Sequence, residues 1–340
     1  MTRFSRSDVR NVGLAAPALI SRRQLVALAI TSAIPMAGHA QSFPTRPVSI
    51  VVPFPPGGTT DIAARAIAVE MGKLMGQPIT VDNRGGAGGN IGSEYVARST
   101  PNGYTLLMTT TNIHAINPLL YSKMSFDPNK DFVPVAPLLM GSLVLVAHPS
   151  VRANNLRELI ALAKSKPGGL TVASAGAGTI NHLAAELFKQ MAGVFIVHVP
   201  YRGAGPALAD LIGGQVDLMI DGIPSALPHI RTGKLRGIAT TGTKRADALQ
   251  ELPTIAEAGL PGFEATVWFG LLAPAGTPQE VIQRLNAEAT KGANSPEFRE
   301  RMVAAGFEVV SGPAEKLADM IRTDVARWAP VVKASGLKIE

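Results

Sequence analysis

Apolar runs of four to six residues alternate along this chain with longer stretches whose apolar positions recur every three or four residues. Ser49–Phe54 is such a run, rich in β-branched residues, and predicts a strand buried on both faces. Pro53 fits only at its end, because proline cannot donate to a ladder. Pro55, Pro56, Gly57 and Gly58 then break regular structure. Thr59, Thr60 and Asp61 offer helix N-caps, and Ala63, Ile67, Met71 and Leu74 follow at helical spacing until Gly76 and Pro78.

The same alternation continues. Strands are predicted at Ile79–Val81, Tyr104–Thr109, Leu143–Ala147, Thr171–Ala173, Phe195–Val199, Val216–Ile220, Leu235–Ala239 and Val267–Leu272. Helices are predicted at Ser93–Arg98, Asn117–Tyr121, Leu156–Ser165, Asn181–Met191, Ala207–Ile212, Pro278–Lys291, Ser295–Gly306 and Ala314–Trp328, with Pro330 ending or kinking the last. Strands alternating with helices argue a doubly wound α/β architecture.

A glycine-rich turn entering a helix presents unpaired N–H groups and the positive end of the helix dipole, a place for an anion. The first such turn is Phe54, Pro55, Gly57, Gly58, Thr59, Thr60 and Asp61. The device recurs at Ser174, Gly176, Ala177, Gly178, Thr179 and His182, and Thr110, Thr111 and Asn112 close another strand. Each turn taken alone also reads as a plain strand–helix connection. If Leu143–His148 and Val267–Ala273 cross between two lobes, both turns face one cleft.

Residues 1–40 read differently. Arg3, Arg6, Arg10, Arg22 and Arg23 precede the apolar run Leu25–Met36, which is too short to span a bilayer, and Gly38-His39-Ala40 supplies small residues at a cleavage site. This predicts an export signal cut after Ala40, by the general or the twin-arginine route, the latter suggested by Ser21-Arg22-Arg23-Gln24-Leu25. Removing five Arg and Asp8 lowers the formal net charge from +7 to +3. Basic residues are scattered and aromatics are 5%, so no nucleic-acid partner is expected. The absence of cysteine excludes disulfides, thiolate metal sites and a Cys nucleophile.

The remaining motifs in order are Phe43-Pro44-Thr45-Arg46-Pro47, Val51–Asp61, Asp82–Gly89, Val199–Ala207, Gly214–Met219 and Trp268–Pro278. Together they resemble the periplasmic solute-binding receptors of the tripartite tricarboxylate transporter type, the Bug family, over Phe43–Leu337. The resemblance implies an α/β, two-lobed type II periplasmic-binding-protein fold, each lobe a doubly wound sheet with flanking helices, joined by two crossing strands. Lobe one is expected at 41–143 and 269–340, lobe two at 144–268. It implies capture of a small organic carboxylate by amides, hydroxyls and ordered waters from the loops named above. It implies no catalysis, cofactor or metal, a monomer, and delivery to integral-membrane transporter subunits or a sensor.

Other chemistry is less well supported. Gly86-Ala87-Gly88 and Gly176-Ala177-Gly178 begin a dinucleotide fingerprint, but Ile91 and Asn181 stand where its last Gly belongs. Ser174 sits where a nucleophile elbow would, with half of the G-x-S-x-G pattern, so a secreted serine hydrolase is the alternative reading. Asp61 reads as a helix cap or a general base. Arg202 reads as a carboxylate clamp or a solvated side chain, and Trp268 as cleft wall or core.

Overall fold

The computed structural model describes residues 43–339. The predicted signal and its cleavage site lie outside the described residues.

The opening unit is β1 (Val48–Val52), a loop, and α1 (Thr59–Met75), which ends at Gly76 in the left-handed conformation. β2 (Ile79–Asn83) and β3 (Thr105–Thr110) flank β1, both parallel to it. α2 (Asn90–Ala97) connects them; its start absorbs Asn90–Gly92 from what reads in sequence as loop. After β3 come a π-helical turn (Asn112–Ile116) and the short α3 (Asn117–Leu120).

β4 (Phe132–Ala147) is 16 residues long and ties the molecule together. Phe132–Ser142 pairs antiparallel with β9 (Thr266–Pro274), which pairs β3 on its other side. Leu143–Ala147 pairs instead with β7 (Leu218–Gly222) and β8 (Arg236–Thr240). Beyond β7 lie β5 (Thr171–Ser174) and β6 (Val197–Pro200), all parallel. Two parallel sheets are thus joined through antiparallel strands. Of the two strands expected to cross, only β4 carries hydrogen bonds in both; β9 stops pairing it at Ser142.

Helices cover the faces: α4 (Leu156–Ser165), α5 (Ile180–Ala192), α6 (Ala204–Ile212), α7 (Ile223–Arg231), α8 (Gln279–Ala293), α9 (Pro296–Ala304) and α10 (Ala314–Ser335). A two-residue strand β10 (Glu308–Val309) edges β4. α10 does not stop at Pro330. Trp328 and Val332 on either side are buried, and their packing outweighs the lost N–H.

Candidate functional site

Helices α1, α5 and α7, and with Ala204 also α6, begin at one cavity of about 60 Å³, which has room for a few water-sized groups. The first is α1. Its N-cap is Gly58, not the Thr or Asp residues the sequence offers, and no side chain caps it. The amides of Thr59 and Thr60 therefore have no acceptor among the described residues, and neither has the Thr60 hydroxyl. Phe54, Pro55, Gly58, Thr59 and Thr60 line this side.

Asp61 is what shapes that loop. Its carboxylate accepts from Gly57 N–H (3.1 Å), Arg65 Nε (2.9 Å) and Asn83 Nδ2 (3.0 Å), and Asn83 also bonds Phe54 O (3.1 Å). Burial alone would raise its pKa, but these hydrogen bonds hold it below the usual carboxylate range. Gly57 takes φ +84°, which a side chain would resist. Asp61 and Gly57 do not line the cavity. The base expected as one reading of Asp61 is an orienting residue here.

The second helix is α5, capped by Thr179, whose Oγ1 donates to Gly176 O (2.7 Å) and accepts from His182 N (3.4 Å). That hydroxyl is spent within the loop. Ala175, Thr179, Ile180 and Asn181 line the cavity. Ile180 N–H donates to Asn112 Oδ1 at 2.7 Å, while the Asn181 amide has no acceptor among the described residues. Asn112 is itself held by an amide relay: its Nδ2 donates to Asn117 Oδ1 (2.9 Å), and Asn117 Nδ2 to Asn90 Oδ1 (2.7 Å).

The third start, α7, escaped the sequence reading. Asp221 and Gly222 at the end of β7 line the cavity. Asp221 accepts from Ser225 Oγ (2.6 Å) and Asn181 Nδ2 (3.1 Å), and its burial pushes its pKa up. Ser225 Oγ also lies 3.0 Å from Thr59 Oγ1. The usable signal was Ile223-Pro224 after a strand, proline being favoured in a first helical turn; Pro228 four residues on obscured it.

Thr110 and Asn112 line the cavity with Leu143, Ala204, Val267 and Phe269. Thr111 turns away: its Oγ1 bonds Asp324 Oδ2 (3.1 Å) and accepts from Trp268 N (3.2 Å). Trp268 is core, buried, with Nε1 on Asp324 at 2.6 Å. Burial raises the Asp324 pKa against those two bonds. Gly176, Ala177 and Arg202 line an adjoining cavity of about 230 Å³ that shares Phe54, Pro55 and Ala175 with the first. Ser174, Gly178 and His182 stand behind the second loop, lining neither. Ser174 Oγ is 2.7 Å from His198 Nε2, yet Ser174 is fully buried.

Electrostatically the first cavity is unusual for an anion site. Among the described residues no Lys, Arg or His lines it, and the one ionisable lining group is Asp221. What it offers is unspent amides at two helix starts.

Residues 63–337 match the family described as tripartite tricarboxylate transporter family receptor. A structure of "R. palustris Rpa4515 with adipate" is 40% identical, with TM-score 0.85, covering 87% of this chain and 99% of that one. The "periplasmic binding protein BugD" is 36% identical, TM-score 0.84, covering 88% and 100%. "MatC (Rpa3494) from Rhodopseudomonas palustris with bound malate" is 37% identical, TM-score 0.81, covering 85% and 100%. The likeness extends across both sheets, and the architecture is the two-lobed fold of periplasmic binding proteins.

Proposed function

Since the chain belongs to the tripartite tricarboxylate transporter receptor family of Bug-type periplasmic binding proteins, we propose that it is an exported receptor that captures a small organic carboxylate between its lobes and performs no reaction. The observation that carries this is the convergence of helix starts with unspent N–H groups on a cavity without cations. A carboxylate there is held by the Thr59, Thr60 and Asn181 amides and the Thr60 hydroxyl, each a fixed donor that needs no neutralising side chain. Adipate and malate, bound by relatives of similar architecture, are the probes to begin with. Lobe one is then 41–143 with 269–340, lobe two 144–268, and the closed form is what a membrane transporter subunit or a sensor reads.

A hydrogen bond to a charged group contributes about 1.5–3 kcal/mol. Thr60→Val therefore weakens carboxylate binding about ten- to a hundredfold with little change in melting temperature. Because no cation lines the cavity, affinity changes only modestly with salt. Calorimetry against adipate and malate at two salt concentrations, with mass spectrometry of ligand released from purified protein, tests this. If Thr60→Val binds as wild type while Arg202→Ala loses binding, a cationic clamp replaces the helix-start mechanism.

The Ser174–His198 contact supports the hydrolase reading in geometry alone. A serine with no exposed surface gives an ester no route to its oxygen. Ser174→Ala is expected to leave ester hydrolysis at the background rate of wild type; activity lost in that variant would restore the enzyme reading. Family membership also implies export, and N-terminal sequencing of periplasmic material is expected to begin at Gln41.

A further inference from the structure

Two histidines lie directly behind the second loop. His182, in the first turn of α5, is buried, and its Nδ1 accepts from Gly178 N–H at 3.0 Å. His198, on β6, stacks on it with ring centroids 3.7 Å apart and planes 9° apart. His198 Nε2 lies 2.7 Å from Ser174 Oγ, which also bonds Gly176 O (3.1 Å) and accepts from Gly176 N–H (3.2 Å). The stacked pair thus pins the loop at both ends.

A backbone N–H can only donate, so the Gly178 contact requires a bare Nδ1 and puts the His182 proton on Nε2. Nε2 faces Glu186 Oε1 at 3.4 Å. Protonation at Nδ1 would set two donors face to face and leave the Gly178 amide buried without a partner. Gly178 precedes Thr179, the cap of the helix whose first amides reach the cavity.

We propose that His182 is a positioning residue that holds the second loop only while its ring is neutral, so the grip on a carboxylate is present near neutral pH and released in acid. This rests on the reading of the cavity as a carboxylate site.

The charged surroundings fit one proton entering this pair. Glu186 and Lys189 face it from α5, with Lys189 Nζ 2.7 Å from Glu186 Oε1. Burial would raise the Glu186 pKa, but bonds from His182 and Lys189 hold it down to about 2, so it stays ionised throughout. From β6 comes His198, held to about 4 by burial and then by the charge on His182. Asp221 on β7 faces Asn181 instead, and α10, which also packs on α5, places no ion pair here among the described residues. Stacked rings at this distance cannot both carry charge cheaply.

The test is a pH titration by NMR of the whole mature protein with labelled histidine, needing no ligand. At neutral pH, His182 should show Nδ1 bare and Nε2 protonated. On acidification the Gly178 and Thr179 amides should shift with the midpoint of His182. In His182→Asn, whose Oδ1 can take the place of Nδ1 without titrating, those amides should stay still. A protonated Nδ1 at neutral pH, or Gly178 shifts that survive in His182→Asn, would overturn the proposal. Calorimetry with adipate forms the second arm. Wild type should bind adipate more weakly as the Gly178 amide shift develops on acidification. His182→Asn should hold whatever affinity it has across the same titration. A wild-type affinity that does not change with pH would overturn the release step. If adipate binds at no pH of the titration, the choice of ligand class fails, and the NMR titration still decides the clamp.

Discussion

Gly222→Ala is expected to weaken carboxylate capture about ten- to a hundredfold and to expand the protein. Gly222 has φ −59° and ψ 134°, a backbone any residue adopts, so the substitution carries no conformational penalty. The cost lies in what a Cβ would meet: it would overlap Thr59 Oγ1 and lie 2.9 Å from Thr59 Cβ and 3.1 Å from Cγ2. Rotating the Thr59 side chain moves Oγ1 and Cγ2 away but leaves Cβ, which is fixed to the start of α1. The contact between α1 and the end of β7 must therefore open, breaking the Thr59–Ser225 bond that spans it. Overpacking of this kind costs about 1–3 kcal/mol, which is the expected loss of affinity.

Two companions make the result interpretable. Gly213→Ala, at φ −76° with nothing nearer than 3.4 Å, is expected to bind as wild type. Thr59→Gly combined with Gly222→Ala removes the clashing atoms and should recover closure even though a hydroxyl is lost. Small-angle scattering and calorimetry on the four proteins read both effects. A Gly222→Ala protein as compact and as tightly binding as wild type would mean that α1 and β7 need not approach for capture.

The same close approach explains a motif whose letters carried no evident chemistry. Around Tyr201-Arg202-Gly203-Ala204-Gly205, a Cβ on Gly203 would lie 2.6 Å from Pro55 Cδ, and one on Gly205 2.9 Å from Pro56 O. The glycines make room for the Pro55–Pro56 corner of the first loop. Gly203 also takes φ +127°, so its conformation requires glycine independently. Here the sequence showed where a turn stood but not what lay against it.

Elements whose signal is local were legible. α4 occupies Leu156–Ser165 as its periodicity indicates, and Asn155 caps it by accepting from Glu158 N. The β1–loop–α1 unit and the α5 loop were legible as two turns, and each contributes residues to one cavity. What did not read were features made by distant partners. The first eleven residues of β4 contain Pro134, Pro137 and Gly141, which break strand alternation; the sheet accommodates them with register shifts beside both prolines. Asn112 looked like the end of a strand, but its position depends on Asn117 and Asn90. Thr111, adjacent to it, looked equally available and is taken by Asp324, over two hundred residues away. Neighbouring polar residues on one strand end thus divide between cavity and core by a half-turn that no local pattern displays.

Acid is expected to destabilise this protein progressively from about pH 6.5 to about pH 3. His114 is buried, with Nδ1 2.7 Å from Thr109 Oγ1 and Nε2 without a partner among the described residues. Burial drives its pKa down to about 3, and burial together with the His182 charge drives His198 down to about 4. An unfolded histidine titrates near about 6.5. Between the folded and unfolded values the unfolded chain binds protons that the folded chain refuses. The stabilisation is therefore complete above about pH 6.5 and is lost as pH falls toward the folded values. One pKa unit corresponds to about 1.4 kcal/mol, so His114 alone accounts for several kcal/mol, and the partly solvated His198 for less. Glu186, held to about 2, extends the loss below the ordinary carboxylate range. Asp221 and Asp324 act in the other direction, since their raised pKa values let the folded chain take up protons first and gain stability as pH falls. Their proton uptake offsets part of what the histidines lose. Urea unfolding at a series of pH values measures it. His114→Leu removes one titrating ring and should flatten the slope across this window, even if the change of packing against Phe132 lowers the plateau at neutral pH. A slope equal to that of wild type would locate the acid sensitivity elsewhere.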